Sequence, residues 1–196
     1  MATTEIPVTG DPEADRLLVE NPLALLIGML LDQQVSMEWA FRGPYALSVR
    51  LGGLDAAAIA AMDPEDLEAV FREKPALHRY PASMAKRTHA LCQVLVDEYD
   101  GNAENVWECA AAGEETGDEL LARLRALPGF GEEKSKIFLA LLAKRFGVAP
   151  PGWETAARPF SDTTMRSVAD IDSSAALAEV HRWKKAQKAK GKGKAD

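Results

Sequence analysis

The densest chemistry in the chain lies in five residues, Leu127-Pro128-Gly129-Phe130-Gly131, set between two amphipathic stretches. Pro128 and Gly129 stop a helix, and the glycines permit a tight turn and the close approach of another backbone. The next helix opens near Lys134 and Ser135 with N–H groups and the positive end of its dipole, an arrangement that accepts a phosphate. An ordinary αα-hairpin with a Gly/Pro turn has the same local sequence, so this segment alone leaves both readings open. Two carboxylates follow. Glu154 lies in the proline-rich stretch Gly147–Phe160, and Asp162 precedes Thr163-Thr164-Met165-Arg166, a turn it can cap. Upstream, Leu31-Asp32-Gln33-Gln34-Val35-Ser36 places two amides side by side after an apolar run. The segment Phe71–His89 is locally basic through Lys74, His78, Arg79, Lys86, Arg87 and His89. Beside it, Tyr80 and Trp39 are able to stack on a base, although a tryptophan on an apolar helix face more often belongs to the core. Cys92 and Cys109 have no neighbours that would lower a thiol pKa and are expected to be buried packing residues. Two cysteines cannot complete a four-cysteine zinc or iron–sulfur site, and three histidines leave little for a metal cage, so no cofactor is expected.

The elements that must hold these residues are almost all helical. At 196 residues, 47% hydrophobic and 27% charged, the chain has the composition of one globular domain, or one bipartite domain, rather than of a disordered polymer. Its longest apolar stretch, Pro22–Leu31, is shorter than the roughly 20 residues a bilayer requires, and the N-terminus shows no secretory pattern. A cytoplasmic protein is expected. Alternating β-pattern is nearly absent. Asp11-Pro12 and Asp63-Pro64 pair a capping residue with proline at the first helical position. Leu23–Leu31 is apolar all round, as a buried helix is. Ser36 caps a helix that Gly43-Pro44 is expected to break before Tyr45–Leu51. Pro81 opens a long helix to about Tyr99, and Gly147–Phe160 reads as a loop. Asp172 or Ser173 caps a last helix, which is expected to fray into a disordered basic tail over 182–196. From Arg182 onward there are seven basic residues and one acidic, in a chain whose net charge is −7. Such a tail either meets an anionic polymer or is simply solvated.

Leu127–Gly131 and its flanking helices form a helix-hairpin-helix signature, and Leu23–Phe41 resembles the early helix-turn of the helix-hairpin-helix (HhH-GPD) DNA glycosylases. That superfamily includes endonuclease III, the adenine glycosylase for mispaired adenine and the alkyl-purine glycosylases. Phe160–Val168 is similar to the stretch that carries the family's catalytic aspartate. The resemblance implies an all-α HhH-GPD fold with a reduced second lobe and without an iron–sulfur cluster. The domain would span residues 1–181, with the hairpin at about 118–146. It implies a base-excision repair DNA glycosylase acting as a monomer, in the cytoplasm at the nucleoid, on double-stranded DNA that carries a lesion. Asp162 would be the catalytic carboxylate, with Glu154 as runner-up. Gln34 would enter the base stack and Gln33 would serve the backbone. Leu127, Gly129, Gly131, Lys134 and Ser135 would meet DNA, and Trp39 and Tyr80 would line the base pocket. Bifunctional members carry a Schiff-base lysine where this chain has Glu133, and Lys134 is rotated about 100° away around the helix, which implies a monofunctional enzyme. A non-catalytic helix-hairpin-helix DNA-binding protein is the alternative.

Overall fold

In the computed structural model, which describes residues 6–191 and residue 193, every regular element is helical, and no strand occurs among the described residues. The helices are α1 (Pro12–Glu20), α2 (Pro22–Leu31), α3 (Met37–Leu51), α4 (Ala56–Ala61), α5 (Pro64–Arg72), α6 (Pro81–Tyr99), α7 (Glu108–Ala111), α8 (Gly117–Ala126), α9 (Glu132–Phe146), α10 (Trp153–Ala156) and α11 (Ser174–Ala189). Single 3₁₀ turns occupy Ala103–Val106 and Val168–Asp170. The chain divides into two compact units. One contains Thr9–Val106 with Leu127–Gly129. Among the described residues, the other contains Trp107–Ala126 and the chain from Phe130, joined by residues 6–8.

The first unit is organised on α2, whose residues from Leu23 to Leu31 are all buried. Its start follows the sequence: the Asn21 side chain accepts the N–H groups of Leu23 and Ala24, and Pro22 needs no donor partner at the first position. Asp11 and Asp63 cap α1 and α5 in the same way. The expected break at Gly43-Pro44 does not occur, because α3 runs unbroken through both residues. Proline in a helix interior forfeits one backbone hydrogen bond and crowds the preceding turn. Here close packing outweighs that cost. Gly43 lies so close to α2 that a Cβ would fall 2.5 Å from Leu31 Cδ1, and Met37, Ala40, Phe41, Pro44 and Leu47 are buried along the same helix. A break at Gly43 would expose that face.

The second unit is built around α9, which is buried from Ile137 through Leu142. Phe138 sits at its centre, 5.7 Å from the Trp107 ring and 5.8 Å edge-on from Phe130, in the range where aromatic pairs attract. The segment expected to be a loop, Gly147–Phe160, contains the short helix α10. The Gly117 N–H donates to Pro151 O at 2.8 Å, which ties the start of α8 to this stretch. The expectation of disorder from residue 182 is corrected as well: α11, capped by Ser173, stays helical through Ala189. Lys192 and residues 194–196 lie outside the described residues. Cys92 is fully buried and its thiol is pushed up to about 12 by loss of solvation, but Cys109 is exposed rather than buried. Among the described residues no helix is long and apolar enough to cross a membrane, and no group of three or more His, Cys, Asp or Glu could hold a metal ion.

Candidate nucleic-acid interface and active site

The two adjacent glutamines are held in opposite ways. Gln33 is used up inside the first unit. Its Nε2 donates to the Leu30 carbonyl at 2.9 Å and approaches Met84 Sδ at 3.4 Å, while its Oε1 accepts from Arg87 Nη1 at 2.8 Å. His78 fixes the backbone here. The Tyr80 N–H donates to His78 Nδ1 at 3.0 Å, so the ring proton sits on Nε2, which donates to the Gln33 carbonyl at 3.0 Å. Gln34 then stands at the tip with φ at 57°, in the left-handed region that L residues other than Asn and Asp rarely occupy, and its side chain is exposed. A strained, exposed residue on an over-determined loop is the pattern expected of a functional tip. The sequence points to Gln33 as the structural partner, but not to Arg87, Met84 or the anchoring role of His78. They stand 45 or more residues away, and only the basic character of Phe71–His89 hints at them.

Trp39 and Tyr80 flank His78, with ring centroids 6.3 and 6.2 Å from it. Trp39 is 42% exposed and Tyr80 43%, so Trp39 is not the core residue that its apolar helix face suggests. The Arg79 guanidinium lies 5.4 Å from the Tyr80 ring centroid, which leaves one aromatic face already partnered by a cation.

The hairpin forms as α8, the turn and α9. Gly129 has φ at 82°, and a Cβ there would fall 2.3 Å from Leu30 Cδ1, so the position demands glycine twice over. Gly131 is the N-cap of α9, has open space around it, and offers no side chain to the first N–H groups of that helix. Glu132 and Glu133 follow. The Glu132 carboxyl is held below the usual carboxylate range by a hydrogen bond from Lys136, by the Lys136 charge and then by that of Arg125. Its charge is therefore offset locally, at 2.8 Å by Lys136 and 3.8 Å by Arg125. Ser135 is wholly buried and cannot meet DNA from this position, which corrects its assignment as a contact. The Leu127 side chain is also buried, so only its backbone could take part. Lys134 is half-buried on the first turn of α9.

Asp162 lies at the opposite end of α9. Lys144, in that helix's last turn, donates to the Asp162 backbone carbonyl at 2.7 Å and to Asp170 Oδ1 at 2.6 Å. With about 1.5 Å of rise per residue, the carboxylate is anchored roughly 20 Å along the helix from the hairpin turn. Its Oδ1 accepts the Thr164 N–H at 2.9 Å, the capping geometry read from the sequence, and its Oδ2 pairs with Arg166 at 2.6 Å. The Asp162 side chain stays 46% exposed while Arg166 is buried, so the carboxylate opens to solvent from a fixed base. It borders a cavity of about 320 Å³ that Lys144, Arg145, Trp153 and Ser161 also line. Asp170, which no sequence signal singles out, is the structural carboxylate of this corner: besides Lys144 it accepts the Arg166 and Ser167 N–H groups and the Ser167 hydroxyl. Glu154 is exposed on α10, and its backbone carbonyl accepts the Ser161 hydroxyl at 2.6 Å.

No curated protein and no solved structure matches the chain significantly. A family model does: that of the HhH-GPD superfamily of base excision DNA repair proteins, over residues 27–192. The match takes in the Gln33–Gln34 loop, the hairpin and the Asp162 corner, and it covers most of the chain. The chain therefore belongs to the HhH-GPD superfamily of base excision DNA repair proteins.

Proposed function

We propose that this protein is a monofunctional DNA glycosylase that extrudes a damaged or modified base from duplex DNA and hydrolyses its N-glycosidic bond. The observation that carries the reading is the Gln34 tip. An enzyme that acts on a base inside a duplex must take it out of the stack, and something must then occupy the gap. Gln34 is exposed, sits on a left-handed backbone, and springs from a loop fixed by Gln33, His78 and Arg87. Its amide has both donor and acceptor for the base left without a partner. Trp39 and Tyr80 offer exposed faces for stacking, and the turn at Gly129 and Gly131 offers backbone to a phosphate. Asp162 would steady the oxocarbenium-like sugar and orient water, being a half-exposed carboxylate held by Thr164 and Arg166.

One observation favours a second reading, a DNA-binding protein without chemistry. Asp162 is anchored by Lys144 at the last turn of α9, about 18 Å of helix rise from Glu132 in its first turn, so a phosphate held at the start of α9 is not beside the carboxylate. Incubation with a panel of lesion-bearing duplexes separates the two readings. The expected product is an intact abasic strand that breaks only after alkali or heat. Borohydride should trap no protein–DNA adduct, since Glu133 cannot form an imine. A trapped adduct would refute the monofunctional assignment and point to Lys134. Tight duplex binding with no excision of any lesion would favour the second reading.

A further inference from the structure

In the second half of α11 Arg182, Lys185 and Lys188 are exposed while Trp183, Lys184 and Gln187 are half-buried, and the charges of this regular helix are not scattered. At 100° per residue, His181, Arg182, Lys184, Lys185 and Lys188 fall within an arc of about 160°. Ala176, Val180 and Trp183 fall on the other side. That other side is already occupied. Ala176 and Val180 are buried, and the buried Arg166 places its guanidinium 5.2 Å from the Trp183 ring centroid. Glu179 is the acidic residue of this helix, and it pairs with Arg182 at 2.8 Å. Arg182, Lys185 and Lys188 are exposed. Because the chain as a whole carries −7, this stripe is a local reversal of sign rather than part of a generally basic surface.

We infer that this face of α11 is a second DNA-contacting surface, which lies along the phosphate backbone of a duplex independently of the hairpin. From Arg182 to Lys188 the helix advances about 9 Å. Each strand of a duplex presents one phosphate for about every 3.4 Å of axis, so about three phosphates of one strand fall within reach of these cations. The contact is one of charge to backbone and carries no sequence information. A basic amphipathic helix also suits an anionic membrane, but membrane seating needs an unoccupied apolar face, and the α11 apolar side is turned onto Arg166 and the unit's own core. The inference rests on duplex DNA being the polymer this protein works on, and it leaves the reaction open.

The test measures binding of the full chain to an undamaged duplex by fluorescence anisotropy across a salt series. A variant combining Arg182→Gln, Lys185→Gln and Lys188→Gln is compared with wild type and with a Lys185→Arg/Lys188→Arg variant. Substitution is preferable to truncation, since removal of Trp183 would bare Arg166. Each cation withdrawn from a phosphate makes the negative slope of log K against log salt shallower by about 0.9, so the slope of the triple variant is expected to be shallower by between about 2 and 3, with unchanged helix content. The Arg variant should keep the wild-type slope. Equal slopes for wild type and the triple variant, or an equally shallower slope in the Arg variant, would overturn the proposal. So would charge-dependent binding to vesicles of phosphatidylcholine and phosphatidylserine with no change on DNA. Excision of lesions by the same proteins is scored separately: an enzyme that excises nothing yet shows the slope change would retain this surface and lose the glycosylase reading.

Discussion

Asp162→Asn is expected to lower the rate of base excision by about 10²- to 10³-fold, the usual cost of removing one preorganised group aimed at developing charge. Duplex affinity should stay near wild type. The amide keeps the shape of the carboxylate and can still accept the Thr164 N–H, so the turn is retained. What disappears is the negative charge that would steady an oxocarbenium-like sugar. The substitution also weakens the pair with Arg166. Since Asp162 is nearly half exposed, that loss should cost no more than about 1 kcal/mol of stability. Single-turnover excision on the best lesion found, with thermal melting alongside, separates the two effects. Undiminished excision by the Asn variant would remove Asp162 from the mechanism and make Glu154, exposed on α10, the next carboxylate to replace.

The two hairpin glycines should fail in different ways. Gly129→Val forces a branched residue into a left-handed backbone, at about 1–2 kcal/mol, and overpacks the contact with Leu30, at about 1–3 kcal/mol more. Taken together as about 3 kcal/mol, this should lower the melting temperature by roughly 6–12 °C in a chain of this size. Gly131→Val meets neither obstacle. Its φ of −86° suits any residue, and no atom lies within 4 Å of the added Cβ. Its melting temperature should stay close to wild type, while an added isopropyl group at the N-cap of α9 should keep a phosphate from the first-turn N–H groups and weaken duplex binding. Unaltered DNA affinity in Gly131→Val would show the hairpin to be a connector and nothing more.

The parts of the fold written in local chemistry were legible in the sequence. Asp11-Pro12, Asp63-Pro64 and Ser173 start helices where the capping residues say they must, because a cap is satisfied within three residues of itself. What was not legible depends on partners far along the chain. Pro44 reads as a break until Leu31 is seen against Gly43. Trp39 reads either as core or as a stacking surface, and only its placement beside His78 shows the ring to be exposed. Ser135 reads as a phosphate contact from its place in the first turn, but the helix face it occupies is turned inward. In the candidate site the residue types were legible and their supports were not. Arg166 lies four residues from Asp162, within reach of sequence reasoning, whereas Lys144 and Asp170 meet only through the packing of the 3₁₀ turn Val168–Asp170 against α9.

The shape of α11 bears on how a purified sample would age. Its first turns are anchored by Ala176 and Val180, while beyond Val180 the backbone is held mainly by its own hydrogen bonds and by Trp183 under Arg166. Helical segments with so little burial open locally at small free-energy cost, long before the body unfolds. The same residues, Arg182, Lys184, Lys185 and Lys188, are those after which trypsin-like proteases cut. Nicking would therefore begin there. A cut after Lys184, Lys185 or Lys188 would release basic residues from the end of α11 and leave Trp183 against Arg166, so the remaining particle would melt much like the intact one but carry a more acidic surface. Two preparations of equal fold and unequal age would then differ in charge, which an ion-exchange column would resolve before any spectroscopic measurement did.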